Sequence, residues 1–246
     1  MQQQQILKSM FKKLLYVWVL FSSCLAHTQT VSQVFQKLAK QYSEAKPLQY
    51  KSSYSLYKDF DAKKVEETYK GIYYKNASNE IYTKIGDTEM LNSKTVFLKI
   101  SNAEKAIEIS NPVPNYAGDF DMKPLLDVCK IEKFVDYKSY WEITMVAKPY
   151  SSLPYSKIVV QVTKSYFLQK QTFYYNTAVN FSKDYRSPDP HYPRLEIINT
   201  NFNRNPVNAS VFNTKTYFTT SAKKQILLVE RLKKYELNDQ RVISNK

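Results

Sequence analysis

The chain has 246 residues and a formal net charge of +14, and its 21 tyrosines and 13 phenylalanines stand against only 3 glycines. This length is enough for one sizeable hydrophobic core and marginal for two. Many large aromatic side chains favour β-strands over architectures that depend on tight glycine turns. With two histidines in the whole chain, a histidine-rich metal site is excluded.

The N-terminus has the pattern of a secretory signal peptide. Lys8, Lys12 and Lys13 precede an apolar run at 14–21, and small or polar residues follow. The run is much shorter than the roughly 20 residues that cross a bilayer as a helix. We predict that residues 1–28 are a signal peptide, with Met1 or Met10 as the start. The mature protein is then periplasmic or associated with the outer membrane of a Gram-negative-type bacterium.

Two kinds of signal cleavage remain open. The sequence at 21–24 resembles a lipobox ending at Cys24, whereas 24–26 and 26–28 each fit an ordinary signal peptidase site. Phe21 stands where a lipobox normally has an aliphatic residue, which favours ordinary cleavage, with lipidation of Cys24 as the alternative. Either way Cys129 has no cysteine partner in the mature chain.

The mature chain is expected to begin with an amphipathic helix. Apolar residues recur from Val31 to Tyr42 at offsets of 0, 3, 4, 7, 8 and 11, which is the spacing of one helix face. Pro47 should end this helix, because the residue before a proline is driven out of the helical conformation.

Beyond Pro47 the apolar pattern alternates, which predicts short antiparallel strands. A second helix is predicted at 121–135, where Met122, Leu125, Leu126 and Cys129 have roughly helical spacing. A proline-rich loop is predicted at 182–193. The predicted strands are 50–56, 65–75, 80–85, 88–91, 95–101, 105–110, 141–148, 157–163, 167–175, 194–200, 215–219, 225–232 and 235–237.

We therefore predict a mostly β (α+β) fold, a curved antiparallel sheet or half-open barrel wrapped around an N-terminal and a central helix. Residues 29–246 form one domain in this interpretation. Residues 182–246 are either a C-terminal extension of the same sheet or a docking surface. A curved sheet that helices cover only in part leaves an apolar hollow, which is where a ligand would bind.

Residues suited to catalysis are scarce. His191 lies in the proline-rich loop, where we expect a solvated side chain rather than a member of a triad. Cys129 is expected to be a small buried hydrophobe on the apolar side of the second helix. Asp119, Asp121 and Asp127 lack the acidic ladder and glycine turn of a calcium loop. We predict no catalytic residue, no cofactor, no metal and no enzymatic activity.

Aromatic and aliphatic residues on the strands are the positive signal. Most such residues form the core, but tyrosine also suits a cavity wall, because it offers apolar area and a hydrogen-bonding tip to an amphiphile. The candidates for lining a ligand site are Tyr54, Leu56, Tyr69, Ile72, Tyr74, Phe97 and Trp141.

The order of elements resembles the outer-membrane lipoprotein carrier (LolA-like) superfamily. The resemblance lies in the helix at 31–42 and the strands at 69–75, 81–86, 96–100 and 105–109. It implies a half-open antiparallel barrel, closed by helices, that holds a lipid or acyl chain. No residue matches the family individually, so the resemblance implies no specific binding residue.

The leading hypothesis is an exported envelope protein that binds a lipid or a lipoprotein acyl chain in an apolar hollow. The alternative is a non-catalytic accessory protein that interacts with an outer-membrane or envelope protein. Removal of the signal lysines leaves a charge of +11, which favours peripheral contact with anionic membranes if the lysines are not simply solvated. Nucleic acid is excluded as a partner by export and by the absence of a binding motif.

Overall fold

A computed structural model describes residues 29–114, 122–184, 186–222 and 225–241. The predictions on the signal peptide, Cys24, Asp119 and Asp121 concern residues outside these ranges. Two α-helices are described, α1 (Val31–Ser43) and α2 (Lys123–Val128). Neither is long and apolar enough to cross a membrane. The described strands are β1 (Leu48–Tyr57), β2 (Val65–Lys75), β3 (Ile81–Ile85), β4 (Thr88–Asn92), β5 (Phe97–Ser101), β6 (Ala106–Ser110), β7 (Cys129–Asp136), β8 (Tyr140–Ala147), β9 (Tyr155–Thr163), β10 (Leu168–Tyr175), β11 (Val179–Asn180), β12 (Pro190–His191), β13 (Arg194–Asn203), β14 (Phe218–Thr220), β15 (Ile226–Leu228) and β16 (Glu236–Asp239).

Twelve of the strands form one sheet in the order β16-β6-β5-β4-β3-β2-β1-β13-β10-β9-β8-β7. All neighbours are antiparallel except β16, which pairs in parallel with β6. Two up-and-down meanders, β1 to β6 and β7 to β10, are joined because β13 lies between β1 and β10. The sheet is curved and open, which confirms the predicted mostly β fold with two helices.

Two hydrophobic cores lie on opposite faces of this sheet. We call the face that α1 packs on the inner face and the other the outer face. Ile81 and Tyr82 are neighbours on β3, yet Ile81 belongs to the core under α1 and Tyr82 to the second core. Since successive side chains of a strand point to opposite faces, the two cores are separate layers.

Helix α1 is amphipathic as predicted, with Val34, Phe35, Leu38 and Tyr42 buried. Its N-terminus carries a capping box, in which Thr30 and Gln33 bond each other's backbone amides and so satisfy two amide groups that the helix leaves unbonded. The helix ends at Ser43, four residues before Pro47.

Two cations, Lys75 at the end of β2 and Arg204 just after β13, hold the C-terminal end of α1. The ammonium of Lys75 donates to the carbonyl oxygens of Tyr42 and Glu44, both at 2.5 Å. The guanidinium of Arg204 donates to the carbonyl oxygen of Gln41 at 3.0 Å and to that of Pro47 at 3.3 Å. Positive charge at a helix C-terminus is favourable, because the last carbonyl groups lack partners within the helix.

The C-terminal segment covers the outer face of β3 to β6. It consists of 3-10 helices at Ala209–Phe212, Thr214–Thr216 and Glu230–Leu232, the hairpin of β14 and β15, and β16. Its Phe212, Tyr217, Phe218 and Leu232 are buried in the outer core with side chains of the sheet. The strands predicted at 215–219 and 225–232 are therefore shorter and partly 3-10 helix.

The predicted second helix at 121–135 is wrong in its extent. Helix α2 ends at Val128, and Cys129 is the first residue of β7. Residues such as Ile131 and Phe134 pair with Met145 and Ile143 of β8, so strand pairing prevails over the weak helical spacing. Cys129 is buried, as expected, and burial raises the pKa of its thiol.

Replacing Lys75 with Met tests the clamp on α1. We expect the free energy of unfolding to fall by about 1–3 kcal/mol, because the methionine fills similar space but leaves the buried Tyr42 carbonyl without the Lys75 donor. The Glu44 carbonyl would keep the backbone amide of Lys46 as a donor. Lys51→Met is the matched control, since Lys51 is exposed on the adjacent strand β1. Urea unfolding measures both, and equal midpoints for the two variants would contradict the clamp.

Candidate functional site

The inner face is only partly covered. Along β1, Leu48 and Tyr50 have 0% and 6% of their surface exposed beneath α1, whereas Tyr54 and Leu56 are half-buried. Along β2, Tyr73 is 5% exposed and Tyr69 is 49% exposed. The cover provided by α1 therefore ends between the two halves of these strands.

The far side of the inner face is covered again. Ile143, Met145 and Ile158 of β8 and β9 are fully buried, and Leu125, Leu126 and Val128 of α2 pack against the same core. Beside this core, β2, β1, β13 and β10 present side chains that are partly exposed. We call this surface the open strip, and it consists of Tyr54, Leu56, Tyr69, Leu195, Ile197 and Phe173.

Strand register makes the open strip continuous. Tyr54 lies opposite Tyr69 on β2 and opposite Ile197 on β13. In the next row, Leu195 lies between Leu56 and Phe173. Directly paired residues share a face and lie within contact distance, so the six side chains form one mainly apolar surface. Gln171 of β10 ends the first row and Glu67 of β2 ends the second.

Two glycines allow the tyrosine rings of the strip to lie close to the sheet. A Cβ atom at Gly71 would lie 3.1 Å from Cε2 of Tyr54, and a Cβ atom at Gly86 would lie 3.1 Å from Cδ1 of Tyr69. Burial raises the pKa of Tyr54. The hydroxyl of Tyr69 donates to Glu67 at 2.8 Å, and that hydrogen bond raises its pKa. Both phenols are therefore neutral at physiological pH.

The candidate residues named from the sequence do not share one surface. Tyr54, Leu56 and Tyr69 lie in the open strip, and Phe97 is half-buried on the inner face of β5. Ile72 and Tyr74 lie on the outer face and pack against the outer core. Trp141 is 5% exposed in the inner core, where its indole stacks on Tyr166.

Sequence reasoning did not select Leu195 and Ile197 as lining residues. Their alternation with polar neighbours on β13 was visible, but the face on which they lie depends on the position of β13 between β1 and β10. A strand whose sheet neighbours are distant in sequence carries no local signal for that face.

A separate cavity of ≈450 Å³ lies where β1, β9 and β10 end. We call it the end cavity. Its lining residues are Asp59, Phe60, Asp61, Ser156, Tyr175, Asn176 and Tyr192.

Arg194 fixes the loop that carries three of these lining residues. Its guanidinium donates to the carbonyl oxygens of Phe60 and Ala62, the second at 3.1 Å. It also lies 4.1 Å from the ring centre of Tyr57. The loop between β1 and β2 is thereby attached to the start of β13, and this attachment keeps the wall of the end cavity in place.

His191 lies next to this loop and is not simply solvated, contrary to expectation. Its Nδ1 is 2.8 Å from a carboxylate oxygen of Asp59, and its Nε2 is 2.7 Å from one of Asp189. Two carboxylates favour the imidazolium, which donates from both nitrogens, and the bonds to Asp59 and then Asp189 raise the pKa of His191. Asp189 is also paired with Lys58, which with His191 lowers the pKa of that carboxyl.

Among the described residues, no group of three or more histidine, cysteine, aspartate or glutamate side chains is arranged to hold a metal ion. The candidate site has two parts, the open strip on the inner face and the end cavity, which carboxylates and aromatic rings line.

The sequence matches no family model and no curated protein. Several solved structures resemble the chain. One is an uncharacterized conserved protein from Thermus thermophilus, with 10% identity and a TM-score of 0.47 over 86% of this chain and 100% of that one. Another is a LolA superfamily protein from Nitrosomonas europaea, with 10% identity and a TM-score of 0.34 over 76% of this chain and 99% of that one.

The solved structures that resemble the chain thus include a member of the superfamily that its sequence resembles. At TM-scores below 0.5, these similarities establish neither a family nor a ligand for the chain.

The histidine bridge predicts a pH-dependent stability. Because the folded-state pKa of His191 is raised, its stabilisation is complete below the unfolded pKa of about 6.5 and is lost as pH rises through the folded pKa. We expect His191→Gln to lower the melting temperature more at about pH 5.5 than at about pH 8.5. Differential scanning fluorimetry measures this, and an equal effect at both pH values would contradict an imidazolium bridge.

Proposed function

We propose that the mature protein is a non-catalytic envelope protein that binds the acyl chain of a lipid or lipoprotein on the open strip. The supporting observation is the continuous half-exposed apolar surface formed by Tyr54, Leu56, Tyr69, Leu195, Ile197 and Phe173. Covering apolar surface contributes about 25 cal/mol per Å², or about 0.8 kcal/mol for each buried methylene. A chain of several methylenes therefore gains a few kcal/mol from contact with the strip.

The dimensions and chemistry of the strip suit one extended chain. Four adjacent strands span about 14 Å across the sheet, given about 4.8 Å between neighbours. The surface is aliphatic at Leu56, Leu195 and Ile197, while the two tyrosines add hydrogen-bonding tips beside the apolar rings. An amphiphile with an apolar chain and a polar end matches both features.

The charge of the mature chain supports delivery to or from a membrane. A formal charge of +11 without the signal lysines attracts anionic bilayer surfaces and concentrates the protein where lipids are found. The second candidate, an accessory protein of an envelope complex, has the sheet edge at β7 in its favour. An edge strand offers backbone groups for pairing with a partner.

Two neighbouring isoleucines on β13 provide a matched test of lipid binding. Ile197 lies in the open strip, whereas Ile198 is 40% exposed on the outer face. We expect Ile197→Glu to weaken binding of a fluorescent fatty acid at least about tenfold, which is about 1.4 kcal/mol, because the carboxylate would lose hydration beneath the chain. Ile198→Glu should bind like the wild type.

Circular dichroism of both variants controls for folding. Equal binding by the two variants would contradict the open strip as the lipid site. If the wild-type protein takes up no fatty acid and instead recovers a stoichiometric envelope protein in a pull-down, the accessory function replaces the carrier function.

We also propose export with ordinary signal cleavage near residue 28, with lipidation of Cys24 as the competing outcome. The intact mass of the protein purified from the envelope of the expressing bacterium tests this prediction. A mass matching a start at residue 27 or 29 supports ordinary cleavage. A mass matching a start at Cys24 plus a diacylglyceryl group and an acyl chain contradicts it.

A further inference from the structure

We propose that the end cavity is a binding site for an organic ammonium group, either a primary amine or a quaternary ammonium. The cavity has ≈450 Å³ of space, which lies within the range of small-ligand pockets. The space opens widely to solvent, so a small headgroup can enter it directly. Three features of its wall point to a cation: aromatic rings, free acceptors and the lack of a basic lining residue.

The aromatic rings come from Phe60, Tyr175 and Tyr192. The Phe60 ring is held edge-on against Tyr174 with ring centres 5.1 Å apart, and Tyr175 is held edge-on against Tyr155 at 5.0 Å. Ring faces attract ammonium groups through their negative electrostatic potential, and several rings around one space form the type of cage that binds quaternary ammonium.

The acceptors are carboxylate and hydroxyl oxygens. Asp61 forms no ion pair with any residue of the described ranges, whereas Asp59 shares its charge with His191. The Ser156 hydroxyl donates to the carbonyl of Tyr174 at 3.2 Å, so its lone pairs remain available to accept. The side-chain amide nitrogen of Asn176 also donates a hydrogen bond away from the cavity, to the carbonyl oxygen of Leu153 at 2.8 Å.

Three cations near the cavity already have partners. Lys58 pairs with Asp189, the Arg194 guanidinium lies 3.2 Å from Glu196, and Lys157 lies 4.0 Å from the ring centre of Tyr174. None of them lines the cavity. In a chain with 36 basic residues against 22 acidic ones, a cavity lined by two carboxylates and no basic side chain favours a cation over an anion.

An aromatic path connects the end cavity to the open strip. Tyr175 contacts Tyr155, and the Tyr155 ring lies 4.9 Å from that of Phe173, which belongs to the strip. This last step alone rests on the proposed lipid function. If that function holds, the ammonium is the headgroup of the amphiphile whose chain covers the strip.

Titration of the full mature protein with tetramethylammonium chloride, and separately with methylammonium chloride, tests the cavity without any acyl chain. We expect saturable shifts in the NMR spectrum of the ¹⁵N-labelled protein. Asp61→Asn and Tyr192→Leu should each weaken binding about fivefold or more, through loss of charge and of a ring face. The controls are Asp87→Asn, an exposed carboxylate in the turn between β3 and β4, and Tyr150→Leu, an exposed tyrosine outside the cavity wall.

The site is supported if binding is saturable, if the two cavity variants weaken it, and if the two control variants leave it unchanged. Absence of saturable shifts, or equal affinity in Asp61→Asn and the wild type, overturns it. Dodecyltrimethylammonium then tests the link to the strip: it should bind more tightly than tetramethylammonium, and Ile197→Glu should remove only that gain. If fatty acid binds while neither ammonium ion does, the ammonium site is wrong and the lipid function stands.

Discussion

The attachment of α1 to the inner face is the constraint on which the rest of the structure depends. Four buried side chains of α1 fill one end of that face, each contributing roughly 1.5–3 kcal/mol through burial. Burial, and secondly the charge of Arg204, lower the pKa of Lys75 to about 8. The Lys75 side chain is therefore still mostly protonated at neutral pH. Lys75 and Arg204 fix the helix end because they satisfy its last carbonyl groups. Because α1 packs at the end of the sheet where Leu48, Tyr50 and Tyr73 are buried, it leaves the next rows of the inner face uncovered.

The two halves of the sheet are covered on opposite faces. The outer face of β3 to β6 is filled by the C-terminal segment, while the inner face at β7 to β10 is filled by α1 and α2. The strand β13 joins the halves at the middle of the sheet, and its Leu195 and Ile197 therefore become the centre of the open strip. The end cavity lies at the margin of the same region, held by Arg194 at the first residue of β13.

Local patterns predicted the elements well where their periodicity was strong. The helix from Val31 and the strand Val65–Lys75 lie where the periods of 3.6 and 2 placed them. The second helix failed beyond Val128, because a few apolar residues with irregular spacing fit either a helix or a strand, and pairing with β8 determined the outcome. His191 was misjudged since its two aspartate partners, Asp59 and Asp189, include one from a distant part of the sequence.

The sequence by itself determined that the protein is mostly β with an amphipathic N-terminal helix, because side-chain alternation and helical spacing are local properties of the chain. It also restricted the available chemistry, through its scarcity of histidine and cysteine. Tertiary structure decided which faces remain open. Tyr54 and Tyr69 became part of a surface while Ile72 and Tyr74 became core, because strand order, register and the contacts of distant segments decide which face of a strand is covered.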